Sequence, residues 1–279
     1  MVTEVENASM TGSGAGGIAG NRSDNTIRGN AAANTLAGNA GADVLMGGLG
    51  LDTLAGGSGD DLYVLADTTV VPGPKGRGVT VFDVVDETIR GSGGHDTVWI
   101  GPYDKRSGSA IAATSYALTD GVEDGVIRLE TAFALTGNGA DNALTGGTGN
   151  DDLAGLDGDD VLDGRKGADL LSGGAGADSF AFTVKPAADA VDTITDFVSG
   201  EDVLLLALDV FSAIGSVLGK GEFRANARGV ARDGNDHILY NKSSGALSYD
   251  PDGTGDAIAV EFARLVDHPA VHHTDFVIV

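Results

Sequence analysis

Through two long stretches of the chain, one large apolar residue recurs every nine positions among small and polar neighbours. From Gly38 the sequence reads GNAGADVLM, GGLGLDTLA, GGSGDDLYV, and from Gly146 it reads GGTGNDDLA, GLDGDDVLD, GRKGADLLS, GGAGADSFA. Neither a helical period nor simple alternation describes this pattern. Each unit fits G-G-x-G-x-D-x-U-x, where U is the large apolar residue: Leu45, Leu54, Tyr63, Leu153, Leu162, Leu171 and Phe180. The first six positions suit a glycine-rich turn and the last three a short strand. Two units then complete one coil, and unit n stacks on unit n+2 at the usual sheet spacing of roughly 4.8 Å. The expected fold is all-β: a parallel β-roll in two blocks, with spacer strands between them and a β-rich cap after the second.

The sixth position carries the candidate chemistry. It holds Asp43, Asp52 and Asp61 in the first block and Asp151, Asp160, Asp169 and Asp178 in the second. Weaker units in the same phase start at Gly20, Gly29 and Gly137 and place Asn25, Asn34 and Asn142 there, and a separate unit from Gly91 supplies Asp96. Stacked turns bring one such residue from each of two coils beside exposed backbone carbonyls. About six oxygens at ~2.3–2.6 Å suit Ca²⁺, while Mg²⁺ holds its waters and demands strict octahedral geometry. Full sites are expected where Asp occupies both n and n+2: Asp43 with Asp61, Asp151 with Asp169, and Asp160 with Asp178. Mixed pairs (Asn25 with Asp43, Asn34 with Asp52, Asn142 with Asp160) are expected to bind more weakly. Asn39 stands where the second glycine belongs and tolerates a left-handed turn. Leu156 and Arg165 at that position are departures expected to weaken their turns.

Charge sharpens this picture. Acidic residues outnumber basic ones 41 to 17, for a net charge of −24, which disfavours nucleic acid and anionic membrane partners and favours hard cations. Glycine is abundant at 45 residues while proline is scarce at 6, which excludes collagen and proline-rich linkers. The absence of cysteine excludes disulfides, thiolate zinc sites and cysteine nucleophiles. No stretch is apolar enough to span a bilayer as a helix. The first residues, MVTEVENASMTGSGAGG, lack the basic and apolar regions of a Sec signal peptide.

The nonapeptides resemble the RTX, or haemolysin-type calcium-binding, repeat. Residues 192–206, DTITDFVSGEDVLLL, resemble the segment after the β-roll in serralysin-type secreted proteases. Residues 238–262 resemble the closing hairpins of that C-terminal domain, and the final TDFVIV resembles the family's terminal export signal. SYALTDGVEDGVIRLETAFALTGNGADN resembles the calcium-free spacer strands between RTX blocks. The resemblance implies several bound Ca²⁺ ions, export by type I secretion machinery, an extracellular location and folding once calcium is met. It departs from the proteases in lacking H-E-x-x-H: the histidines are His95, His237, His268, His272 and His273. The implied organisation is a flexible segment 1–19, a first repeat block 20–66, a spacer region 67–136 with the separate unit 91–99, a second block 137–181, and a cap with export signal 182–279.

Other constellations read more plainly as structure. Asp250, Asp252, Gly255 and Glu261 match EF-hand positions, but their flanks alternate like strands, so a hairpin turn is expected. Pro269 argues against a helix presenting His268 and His272 together. Trp99 is expected to pack against a spacer loop rather than serve as a sugar platform. No serine elbow, phosphate loop or catalytic dyad stands out, so no enzyme is expected. The alternatives are an adhesion or polysaccharide-binding module, or an accessory part of a secreted hydrolase or sugar-modifying enzyme.

Overall fold

The fold was analysed in a computed structural model that describes residues 6–72, 78–87, 93–102 and 111–279. Among these the chain is strand, turn and a single 3-10 turn at His273–Asp275, which is the all-β roll expected. It divides into two compact units, Met1–Leu129 and Glu130–Val279.

In the first unit, strands Asn7–Ser9, Thr26–Arg28, Val44–Met46, Leu62–Leu65, Thr97–Ile100 and Asp124–Ile127 stack in parallel as one sheet. A second parallel sheet orders Gly16–Ala19, Asn34–Ala40, Thr53–Ser58 and Val84–Val85. Val44 pairs with Leu62 and Thr35 with Thr53, so two nonapeptides make one coil. The segment before residue 20, expected to be flexible, instead supplies strands Asn7–Ser9 and Gly16–Ala19 to both sheets. The unit read from Gly91 begins outside the described residues. From Thr97 onward it stacks directly on the first block, through Thr97 on Leu62 and Val98 on Tyr63. A two-stranded antiparallel excursion, Thr69–Pro72 with Gly78–Val81, interrupts the coils at this point.

The second unit repeats the plan. Ala143–Thr145, Val161–Asp163, Ser179–Phe182, Val203–Leu206 and Phe276–Ile278 form one parallel sheet. Ala134–Thr136, Asp152–Asp157, Leu170–Ala175, Asp192–Ile194 and Val260–Leu265 form the other. Ala246–Tyr249 and Ile238–Asn241 then add antiparallel strands, which makes residues 250–259 a hairpin turn rather than an ion-binding loop between helices.

The eighth-position residues build the core. Leu45, Leu54, Tyr63, Leu153, Leu162, Leu171 and Phe180 are all at 0% exposure, so each nonapeptide buries its one large side chain completely. At about 25 cal/mol per Å² of apolar surface, such a ladder supports a narrow core one side chain wide per sheet. In the second unit, aromatic packing around Phe211, Tyr249 and Phe262 thickens it under the antiparallel strands.

Candidate metal centre

The sixth-position side chain lies where the turn becomes a strand, and its carboxyl reaches along the stack. The Asn25 N–H donates to Asp43 Oδ1 at 2.6 Å, the Asp43 N–H to Asp61 Oδ1 at 2.8 Å, and the Asp61 N–H to Asp96 Oδ1 at 2.8 Å. On the other edge the Asn34 N–H donates to Asp52 Oδ1 at 2.6 Å. In the second unit the Asn142 N–H donates to Asp160 at 2.8 Å, Asp160 to Asp178 at 3.0 Å, Phe133 to Asp151 at 2.9 Å, and Asp151 to Asp169 at 2.7 Å. One carboxylate oxygen per nonapeptide therefore ties its coil to the next, and the predicted n with n+2 pairs are juxtaposed.

The other oxygen distinguishes a metal edge from a simple turn edge. The Oδ2 atoms of Asp43, Asp52, Asp61, Asp160 and Asp169 are buried without a hydrogen-bond partner. A buried charged oxygen left so is costly unless a cation satisfies it. The first glycine of the unit defines where that oxygen points. A Cβ on Gly38 would collide with Asp43 Oδ2 and sit 2.6 Å from the Gly56 carbonyl oxygen. A Cβ on Gly155 would collide with Asp160 Oδ2 and sit 2.6 Å from the Gly173 carbonyl oxygen. Carboxylate and carbonyl thus converge on one small space, kept open by the missing side chain. The donors are all oxygen, which fits Ca²⁺. Among the described residues no three His, Cys, Asp or Glu side chains form a metal cage by themselves, so backbone carbonyls are needed to complete coordination.

The electrostatics agree. Burial, only partly offset by the N–H bonds, pushes Asp43 up to about 6, Asp61 to about 7, Asp96 to about 6 and Asp160 to about 6, against an ordinary 3.8. Burial also raises Asp52, Asp151 and Asp178. The four ion pairs among the described residues involve Asp124, Asp233, Glu261 and Asp275, and no sixth-position Asp.

The weaker positions behave differently. Asn25 Oδ1 accepts from the Asn21 N–H at 3.0 Å, Asn34 from Asn30 at 2.7 Å and Asn142 from Asn138 at 2.7 Å. These side chains close their own turns. Asp151 does the same, with Oδ2 accepting from the Gly147 N–H at 2.7 Å.

The ladder also runs past the nonapeptides. Asp83 Oδ1 accepts from the Asp52 N–H at 3.0 Å, Asp192 from Asp169 at 3.0 Å, Asp202 from Asp178 at 3.0 Å, and Glu123 Oε2 accepts from Asp96 at 2.8 Å. Burial raises Asp192 strongly, and the charge of Asp169 beside it raises it further. Three of these share a legible signal. Asp83-Val84-Val85, Asp192-Thr193-Ile194 and Asp202-Val203-Leu204 keep the D-x-U end of the unit after its glycines are gone.

Trp99 has the Arg128 guanidinium 4.3 Å from its ring centroid, so this face of the indole is covered within the spacer, as expected. His272 Nδ1 lies 3.2 Å from the Ser199 hydroxyl, and that hydroxyl donates to Asp275 at 2.6 Å.

Against known proteins, residues 11–45, 19–54, 29–63 and 145–180 match the RTX calcium-binding nonapeptide repeat. A search of curated proteins gave no match. Similar solved structures include the AlgE6R3 subunit of the Azotobacter vinelandii mannuronan C5-epimerase, at 27% identity and a TM-score of 0.37, covering 53% of this chain and 78% of that one. Extracellular lipase LipA from Serratia marcescens is 17% identical with a TM-score of 0.25, and the match covers 97% of this chain and 41% of the lipase. The chain thus carries four copies of the RTX calcium-binding nonapeptide repeat, folded as a parallel β-roll.

Proposed function

We propose that this is a secreted calcium-binding protein whose roll folds on Ca²⁺ after export by a type I system. The observation that carries the reading is the row of buried, unpartnered Asp Oδ2 atoms, of which those of Asp43 and Asp160 face carbonyls in the space kept by Gly38 and Gly155. Asp43 with Asp61 and Asp160 with Asp178 are the pairs that would hold calcium most fully; Asp151 with Asp169 would rely more on Asp169, because Asp151 Oδ2 already accepts from the Gly147 N–H, and Asp52 and Asp96 extend the rows. Without calcium, stacked carboxylates repel and the glycine-rich turns are costly to order. Extracellular calcium modules typically have Kd values of about 10⁻⁴–10⁻³ M. A site at tenfold excess over Kd adds about 1.4 kcal/mol, so several sites acting together drive folding. The strand Phe276–Ile278 pairs with Val203–Leu206 only in the folded roll. Before folding, the tail that resembles an export signal has no sheet to join and stays accessible to the export machinery. A polysaccharide-binding role is the weaker reading, because Arg128 occupies one face of the half-buried indole that suggested it.

Calorimetric calcium titration tests the assignment. Asp160→Asn keeps an oxygen for the Asn142 N–H but removes the charge, and should weaken calcium binding about tenfold, consistent with ligand charge setting affinity. Unchanged binding in that variant would remove Asp160 from the site.

A further inference from the structure

We infer that the non-repeat segment Phe82–Glu87 carries calcium ligands of its own, Asp83 at one end and Glu87 at the other, and docks on the first repeat block by sharing cations with it. This rests on the calcium reading of the repeats and extends it to residues that no nonapeptide contains.

The segment forms one half-coil of the roll. Val84 pairs with Thr53 and Val85 with Leu54, and the Asp86 N–H donates to the Leu54 carbonyl at 2.8 Å. This register sets Asp83 over Asp52 and Glu87 over Gly56. At the first end, Asp83 Oδ1 already holds the Asp52 N–H. The space a Cβ on Gly47 would need is taken by Asp52 Oδ2 and Asp83 Oδ2, both no more than 2.5 Å away. Two carboxylate oxygens therefore converge on one point. Asp52 is at 0% exposure and its Oδ2 has no partner. A cation between the two carboxylates would satisfy the unpartnered Asp52 oxygen and relieve their mutual repulsion.

At the other end, Glu87 stands where a repeat would place its first glycine. It is 6% exposed, and the Gly56 N–H beside it, which acts to lower its carboxyl, donates to the Tyr63 hydroxyl at 2.7 Å, so neither carboxylate oxygen is well satisfied. Burial first, and then the charges of Asp96 and Asp61, raise its carboxyl to about 7. Asp61 Oδ2 is unpartnered as well. A repeat offers only a carbonyl at this position. Here a full carboxylate is presented towards the row of Asp61 and Asp96. The alternative is that Glu87 and Asp83 are simply protonated in the fold, and the two readings differ in their response to calcium.

Hydrogen–deuterium exchange on the full chain during a calcium titration separates them. Protection of residues 82–87 should appear with calcium, and its midpoint should rise about tenfold in Glu87→Gln and in Asp83→Asn. The number of ions bound per chain at the calcium concentration of the unaltered chain's midpoint should fall in each variant. Protection of 82–87 in chelator equal to that in calcium would overturn the inference, and this measurement needs no variant. So would a full ion count in both variants together with a more stable calcium-free state. If the unaltered chain binds no calcium, the calcium reading of the repeats fails instead.

Discussion

Leu156 and Arg165 occupy the second position of their units with φ of +90° and +63°. Asn39 meets the same demand at +83°, and Gly48, Gly57 and Gly174 meet it without a side chain. Left-handed backbone costs a branched or bulky residue about 1–2 kcal/mol, and Asn less. The turn nonetheless keeps its shape at Leu156 and Arg165, because strands on both sides are locked in register. The expected weakening is therefore stored as local strain rather than expressed as a broken turn. Leu156 is exposed, so Leu156→Asn should lose no core packing and should raise stability by about 1 kcal/mol in calcium. Chemical denaturation checks this, and an unchanged or lower midpoint would mean the turn carries no strain.

At the scale of the element, the coil was legible wherever glycines mark the turn and one large residue marks the strand. The phase of nine fixed the inward residues and the sixth-position ladder without any structure. The sequence was less informative where coils lengthen. A stacked step spans 18 residues from Asp43 to Asp61, but 35 from Asp61 to Asp96 and 27 from Asp96 to Glu123. Once excursions of variable length enter, period ceases to report stacking and only D-x-U fragments remain. Asp83, Asp192 and Asp202 sat in such fragments, and Glu87 had no local signature. The first strands were hidden for a related reason: Asn7–Ser9 and Gly16–Ala19 are held by parallel pairing to later coils rather than by large apolar residues of their own.

The ladder also sets a pH dependence for the coils. Burial raises Asp43 and Asp160 to about 6 and Asp61 and Asp83 to about 7, from 3.8. A carboxyl raised in the fold contributes stability fully present below its unfolded value and lost as pH rises through its folded value. The calcium-free roll should therefore be most stable near pH 4 and weaken through pH 6–7. Calcium displaces those protons, so its affinity should rise across the same window. The β signal retained in chelator at about pH 4.5 against about pH 7.5 tests the sign. Greater stability at the higher pH would contradict it.

For the whole molecule, the narrow core and the charge pull in opposite directions. Each nonapeptide buries one large side chain fully, yet the chain carries a net charge of −24 and places its most buried carboxylates in rows. Hydrophobic burial alone must then hold together a roll whose edges repel. Calcium removes the repulsion and adds coordination between coils, so fold and ligand are one equilibrium. Far-UV circular dichroism through a calcium titration, starting in chelator and with magnesium in parallel, addresses this most directly. The account predicts a cooperative gain of β signal with calcium and little with magnesium. A full β spectrum in chelator at neutral pH, unchanged by calcium, would contradict it.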